Sequence, residues 1–221
     1  MTFQAGRRPE RLDFHRPLGA AALERVLAAV RAGEVMALPT ETLWGLSADP
    51  FSSAAAERLA VLKGRGPGKP VLVLIGGWDD LDGLGVVVAE PVRRALRRLW
   101  PAPVTVILPL VRPLPAAGGG PGLAVRMPDH DLLRSLLART GPLSSTSANR
   151  AGEAPALTAE EIERLFGDRL ALILDGDVPI GSRPSTLVDA LQSPPLVVRP
   201  GAGEASASAF VSDACRYAES L

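Results

Sequence analysis

Residues 52–75 read SSAAAERLAVLKGRGPGKPVLVLI, and the change of pattern inside this stretch decides the class of fold. Ser52 or Ser53 can cap a helix in which Ala55, Leu59 and Leu62 form an apolar stripe at helical spacing. Val71 to Ile75 is then a continuous apolar run of strand length, the pattern of a strand covered on both faces. A helix delivered by a loop into a two-sided strand predicts an α/β fold. The loop itself holds Lys63, Arg65 and Lys69 around Gly64, Gly66 and Gly68. Glycines without Cβ atoms let backbone N–H groups approach an anion, and cationic tips beside them suit a phosphate. Lys63 and Lys69 are the only lysines of the chain, against 22 arginines, and a compact ammonium does what a guanidinium cannot between phosphate oxygens. The spacing is not that of a Walker A loop. A solvated helix-to-strand connection is the alternative reading.

Outward from this stretch the same alternation continues. Leu23, Val26, Leu27 and Val30 predict a helix from Gly19 that Gly33 closes, and Val35 to Leu38 follows as a short strand. Residues 39–46, PTETLWGL, come directly after that strand. The hydroxyls of Thr40 and Thr42 and the Glu41 carboxylate make it a candidate site, and a strand-end turn with Trp44 in the core is the rival reading. Gly76 to Gly85 reads as a loop or short helical turn. Pro91 opens a helix to Trp100 with Arg93, Arg94, Arg97 and Arg98 opposite its apolar stripe, a nucleic-acid patch or a solvated face. Val104 to Leu110 is a predicted strand, and Pro113 to Gly122 is the longest irregular stretch, a candidate lid. Leu123 to Val125 predicts a strand ending in Arg126, which is either a surface charge or a fork for a carboxylate or phosphate.

A helix runs from Leu132 to Thr140, and residues 143–149, LSSTSAN, follow with four hydroxyls and the only asparagine. They suit a polar ligand, or a strand end with an Asx-turn. Thr158 and Glu161 have capping-box spacing for a helix ended by Gly167. Leu170 to Leu174, Thr186 to Leu191 and Leu196 to Arg199 are predicted strands that close the sheet, and Glu204 to Leu221 a terminal helix. Residues 1–18 read as a flexible or strand-like lead-in.

With 221 residues and 47% hydrophobic content the chain can bury a real core, and its formal net charge of zero confines any nucleic-acid contact to a local patch. A single cysteine excludes an internal disulfide, and two histidines are too few for a His-rich metal site. No apolar run reaches a membrane span and no export signal precedes the fold, so a cytoplasmic protein without membrane contact is expected.

Seven motifs, PTETLWGL (39–46), KGR (63–65), WPAPVTVIL (100–108), AVRMPDH (124–130), STSANRAG (145–152), PSTLVDA (184–190) and RPGAG (199–203), occur in one order along the chain. In these motifs and their order the chain resembles the YrdC-like threonylcarbamoyl-AMP synthase family from about Gly19 to Gly203. The resemblance implies a single YrdC-like α/β domain over 19–203, with the lead-in before it and a helical tail over 204–221. Its sheet is expected to be twisted and of mixed parallel and antiparallel strands, with helices packed on it and a ligand cavity at strand ends.

The implied reaction joins L-threonine, bicarbonate or CO₂, and ATP into threonylcarbamoyl-AMP and pyrophosphate for tRNA threonylcarbamoyladenosine modification. Lys63 and Arg65 are the implied catalytic cations; Ser147, Asn149 and Arg199 join them at ATP, while Thr40, Arg126 and Ser185 face threonine. Mg²⁺ is expected with ATP rather than in a protein metal site. A tRNA contact and a link to the threonylcarbamoyl-transfer machinery are further expectations.

Departures from the family pattern are Gly66 before Pro67, Trp44 for tyrosine, Ala102 for glycine, Gly122 for threonine, and Arg150-Ala151 for Leu-Ser. They leave room for an altered paralogue that binds RNA or a nucleotide. A serine hydrolase built on Ser147 lacks the G-x-S-x-G and S-x-x-K patterns and has only His130 as a base.

Overall fold

Helix α2 (Ser53–Lys63) begins where the Ser52 hydroxyl accepts the Ala55 N–H at 3.2 Å. It stops at Gly64, whose φ of 62° lets the Gly64 and Arg65 N–H groups close back on Val61 O and Ala60 O. Gly64 therefore serves to end the helix, and the three glycines of the loop do not share one role. A computed structural model describes residues 8–66, 68–179 and 181–219. Residues 1–7 of the lead-in, Pro67 of the loop and the last two residues of the tail lie outside them.

The strands are β1 (Glu10–Asp13), β2 (Met36–Leu38), β3 (Gly45–Ala48), β4 (Leu72–Leu74), β5 (Val104–Pro109), β6 (Gly122–Arg126), β7 (Leu143–Ser147), β8 (Leu172–Asp175), β9 (Thr186–Asp189) and β10 (Leu196–Arg199). The helices besides α2 are α1 (Ala20–Arg31), α3 (Asp79–Leu84), α4 (Glu90–Leu99), α5 (Asp131–Thr140), α6 (Ala159–Phe166) and α7 (Glu204–Glu219). One ten-stranded sheet has the order β1-β8-β2-β3-β7-β4-β6-β5-β9-β10. The pairs β1–β8, β8–β2, β4–β6 and β5–β9 are parallel and the others antiparallel, as the mixed-sheet expectation required. No helix among the described residues is long and apolar enough to cross a membrane.

Period-two alternation divides the core. On β2 and β8, Met36, Leu38, Leu172 and Leu174 pack with α1 and α5 residues such as Val26, Leu133 and Leu137. Their neighbours Ala37 and Ile173 face the other way, toward Leu59 and Leu62 of α2 and Ile162 and Phe166 of α6. The far half of the sheet has its own cluster, in which Val73, Val104, Val106, Val125 and Val188 meet α3, α4 and α7.

Three expectations change. The hairpin partner of β2 is a strand, β3, where only a site loop and a core tryptophan were expected; its residues GLSA carry no strand propensity of their own, and pairing to β2 and β7 forms it. The strand β8 does not close the sheet but lies between β1 and β2. The Pro113–Gly122 stretch is docked rather than a free lid. It contains a 3-10 turn, Pro115–Ala117, with Ala116 and Ala117 buried, and Ala116 O accepts the Val71 N–H at 2.8 Å. A Cβ at Gly118 would lie 2.3 Å from Gly68 O, so this strap presses on the glycine loop.

The arginine face of α4 is largely engaged within the molecule. Arg98 pairs with Asp213 at 3.0 Å, Arg94 lies over the Tyr217 ring and Arg97 over Trp78.

Phe166 is fully buried at the end of α6. Phe166→Ala is expected to cost about 3–5 kcal/mol, read as a lowered urea midpoint with an unchanged denaturant slope.

Candidate active site

Register and alternation create an unusual surface in the middle of the sheet. Gly45 pairs with Ser147 and Ser47 with Ser145, so these four share one face, while Leu46 and Ala48 point into the apolar cluster on the other. On the neighbouring strands the same face carries Arg126, opposite Leu74, and Thr105 and Arg199, each opposite Leu187. Ser185 precedes β9 and its hydroxyl meets the Thr105 hydroxyl at 2.8 Å. The centre of that face therefore carries hydroxyls and arginines, most of them buried, in place of apolar side chains. Ser145 belongs to the hydroxyl run read in the sequence, whereas Ser47 and Thr105 were not singled out; each is a lone hydroxyl within an apolar strand segment, GLSA and VTVIL, and that is the signal that would have found them.

Arg126, the last residue of β6, is 3% exposed and donates from Nη1 to Thr42 Oγ1 at 2.8 Å. Thr42 Oγ1 lies 2.9 Å from Thr40 Oγ1, which also bonds the Leu43 carbonyl and accepts the Thr42 and Leu43 N–H groups. The Glu41 carboxylate lies 3.5 Å from Arg126 Nη1. Burial pulls the Arg126 guanidinium below its ordinary range and Arg199 pulls it further, whereas Glu41 pushes it back up; a guanidinium stays charged at neutral pH regardless. Arg199 itself is exposed and donates to Ser185 O at 2.9 Å. Thr40, Arg126, Ser185 and Arg199 are thus brought together.

Lys63 forms a second centre. Only 2% exposed at the C-terminal end of α2, its ammonium donates to Ser147 O at 2.7 Å and to Asn149 Oδ1 at 2.6 Å, with Ser147 Oγ at 3.4 Å. The Asn149 amide donates to Arg150 O and Glu153 O, at 2.9 and 2.6 Å, and Ser147 Oγ donates to Asn149 Oδ1. Asn149 is therefore saturated within the protein and works as a post for Lys63. Burial, with Arg65 as the second cause, lowers the Lys63 ammonium to about 8. Arg65 and Lys69 are exposed on the loop beside it. Lys63, Arg65, Lys69, Leu59 and Thr146 line a cavity of about 60 Å³.

The residues that depart from the family pattern lie as follows in this geometry. Gly66 is exposed with open space around it, Trp44 and Ala102 are buried, and a side chain at 122 would run into Ile107 and Leu191 at 2.9 Å. The Ala151 N–H bonds Lys63 O at 2.9 Å, using only backbone. His130 caps α5 through Nδ1, which accepts the Leu133 N–H, and its ring stacks on Phe14. Burial holds it below its usual range, in the neutral form that this cap requires.

A family model for Sua5, YciO and YrdC proteins, described as "Telomere recombination", matches residues 28–201. A threonylcarbamoyl-AMP synthase of Chromohalobacter salexigens is 43% identical over 171 residues, covering 76% of this chain and 91% of the relative. One of Thiobacillus denitrificans is 40% identical over 165 residues, covering 73% and 87%. The structure of Pyrococcus abyssi Sua5 complexed with L-threonine aligns with a TM-score of 0.77 at 28% identity, over 88% of this chain. This chain spans only 57% of that structure. Escherichia coli YciO aligns with a TM-score of 0.77 at 22% identity, over 88% of this chain and 96% of its own, a likeness of fold.

A buried ammonium lowered to about 8 would make any anion binding at this centre depend on pH. Affinity for inorganic pyrophosphate, measured calorimetrically, is expected to fall as pH rises through about 8 because the charge is lost above that value. Lys63→Arg, charged throughout, is expected to flatten the profile in that window.

Proposed function

The chain belongs to the Sua5/YciO/YrdC family, and from that premise we propose that it is an L-threonylcarbamoyladenylate synthase serving tRNA threonylcarbamoyladenosine modification. The observation that carries this reading is the pairing of two centres. One is a buried ammonium held by Ser147 and Asn149; the other is a buried guanidinium amid Thr40, Thr42 and Ser185.

In this reading Arg126 forks onto the threonine carboxylate, with Thr40 and Ser185 beside it. The threonine nitrogen, first freed of its ammonium proton, bonds the carbon of CO₂ and releases a further proton to solvent, or bonds the carbon of bicarbonate with loss of water, giving a carbamate. A carbamate oxygen attacks the α-phosphorus of ATP, the bond to the β-phosphate oxygen breaks, and pyrophosphate leaves. Negative charge grows on the transferring and departing phosphates, and Lys63 and Arg65 sit where fixed cations stabilise it, with Arg199 and the Ser147–Asn149 pair on the nucleotide side. No nucleophilic residue is needed, because alignment and electrostatics supply the acceleration.

Mg²⁺ would come with ATP and neutralise phosphate charge. Among the described residues no cluster of three or more metal-ligating side chains offers it a cage, so phosphate oxygens and water would be its main ligands. A tRNA contact, the transfer machinery as partner and a cytoplasmic setting belong to the same proposal.

The assay that tests it supplies ATP, Mg²⁺, bicarbonate and L-threonine and measures pyrophosphate release. Threonine-dependent release is expected, falling on the order of a hundredfold in Lys63→Ala. Release no greater than that of the variant, together with tight tRNA binding, would favour the altered paralogue. Arg126→Lys keeps the charge but loses the planar fork, so KM for threonine is expected to rise about tenfold or more with KM for ATP little changed.

A further inference from the structure

Glu41 is the buried group that the assignments above leave unused. Its side chain is 12% exposed, and both carboxylate oxygens are buried without a hydrogen-bond partner. The closest charge is Arg126 Nη1 at 3.5 Å, but that nitrogen already donates to Thr42 at 2.8 Å. Arg126 Nε is also buried and unpartnered. His130 lies near enough for the Glu41 charge to act on it, and its Nδ1 is taken by the α5 cap. Buried carboxylates without hydrogen bonds are costly, and a fold keeps one where another group completes it.

The orphaned atoms are of opposite kind and belong to side chains 3.5 Å apart. A guanidinium N–H has no acceptor, and a carboxylate a few ångströms away has no donor. Their complement is a small zwitterion with an anionic and a cationic end on neighbouring atoms. An α-amino acid has that form, with a carboxylate for Arg126 and an ammonium bearing three donors for Glu41. From this juxtaposition we propose that Glu41 receives the α-ammonium of the amino-acid substrate and so selects amino acids over the corresponding hydroxy acids. The assignment rests on the synthase reading, in which threonine occupies this pocket. It adds a specificity-determining residue at the opposite end of the substrate from Arg126. A hydroxy acid in the same pose would leave the Glu41 carboxylate buried with at most one donor, and sites built around a buried polar group discriminate strongly against ligands that leave it unpaired.

The test compares calorimetric binding of L-threonine and of its α-hydroxy analogue, which has a hydroxyl in place of the amine, to wild-type protein and to Glu41→Gln. Wild type is expected to bind threonine at least about tenfold more tightly than the analogue. Glu41→Gln is expected to lose at least that factor for threonine and to leave the analogue unchanged, with pyrophosphate binding at the wild-type level. Equal wild-type affinity for the two ligands overturns the assignment without recourse to any variant. So does a variant that loses both ligands equally, which would make Glu41 a prop for Arg126, or one that loses neither. Wild-type protein that binds pyrophosphate but neither organic ligand overturns the synthase reading itself, and this assignment with it.

Discussion

The hydrogen bond from Arg126 to Thr42 holds the β2–β3 loop over the face of the sheet. Arg126 ends β6, and Thr42 precedes β3, with β7 and β4 between those two strands. At the usual strand spacing this is a lateral distance of about 14 Å. The register adds to it. Arg126 pairs with Leu74, and Leu74 with Leu143 at the start of β7, whereas the loop meets the sheet at Gly45, opposite Ser147 at the end of β7. A long side chain reaching inward and a loop folding back cover the span together. The site residues lie at strand ends in the chain, yet those ends belong to opposite borders of the sheet, and this bond joins them.

The fold was legible where burial imposes a pattern. Leu23 to Val30, the helix ending at Lys63 and the run from Val71 to Ile75 each carry a period that only one element satisfies. Strand β3 was not legible, because GLSA has neither length nor β-branched residues, and its conformation comes from its two neighbours. The site was legible in residue types at Lys63, Arg126 and the rare Asn149. What could not be read was partnership. Only the folded structure shows that the Asn149 amide is taken by Arg150, Glu153 and Lys63, or that Glu41 stands 3.5 Å from Arg126 without a hydrogen-bond donor. The docking of the Pro115–Ala117 strap escapes the sequence for a related reason: Pro and Gly content marks an irregular backbone, and docking depends on small residues such as Ala116 that carry no loop signal.

The two centres differ in how they treat charge. Lys63 has backbone and side-chain acceptors for its protons and is still pulled down by burial and by Arg65; a polyanion arriving beside it would restore the ammonium. Arg126 cannot release its proton at neutral pH, so burial there is offset by geometry, with Thr42 and Glu41 close at hand. In the proposed function a point charge that can titrate would meet the phosphates and a permanent planar fork the carboxylate, in keeping with the chemical difference between the two groups.

Gly45, Ser47 and Ser145 put small residues at the middle of the sheet, all of them buried, with the Ser47 hydroxyl unpartnered. Strands at the centre of a sheet are ordinarily its stiffest part because apolar burial supports both faces. Here β3 and β7 have that apolar support on one face, and small, buried polar side chains leave more of the cohesion on the other to the backbone ladders. The middle of this sheet therefore draws less of its cohesion from apolar side-chain packing on that face, and a ligand bound against it would stabilise the folded state by binding that state alone.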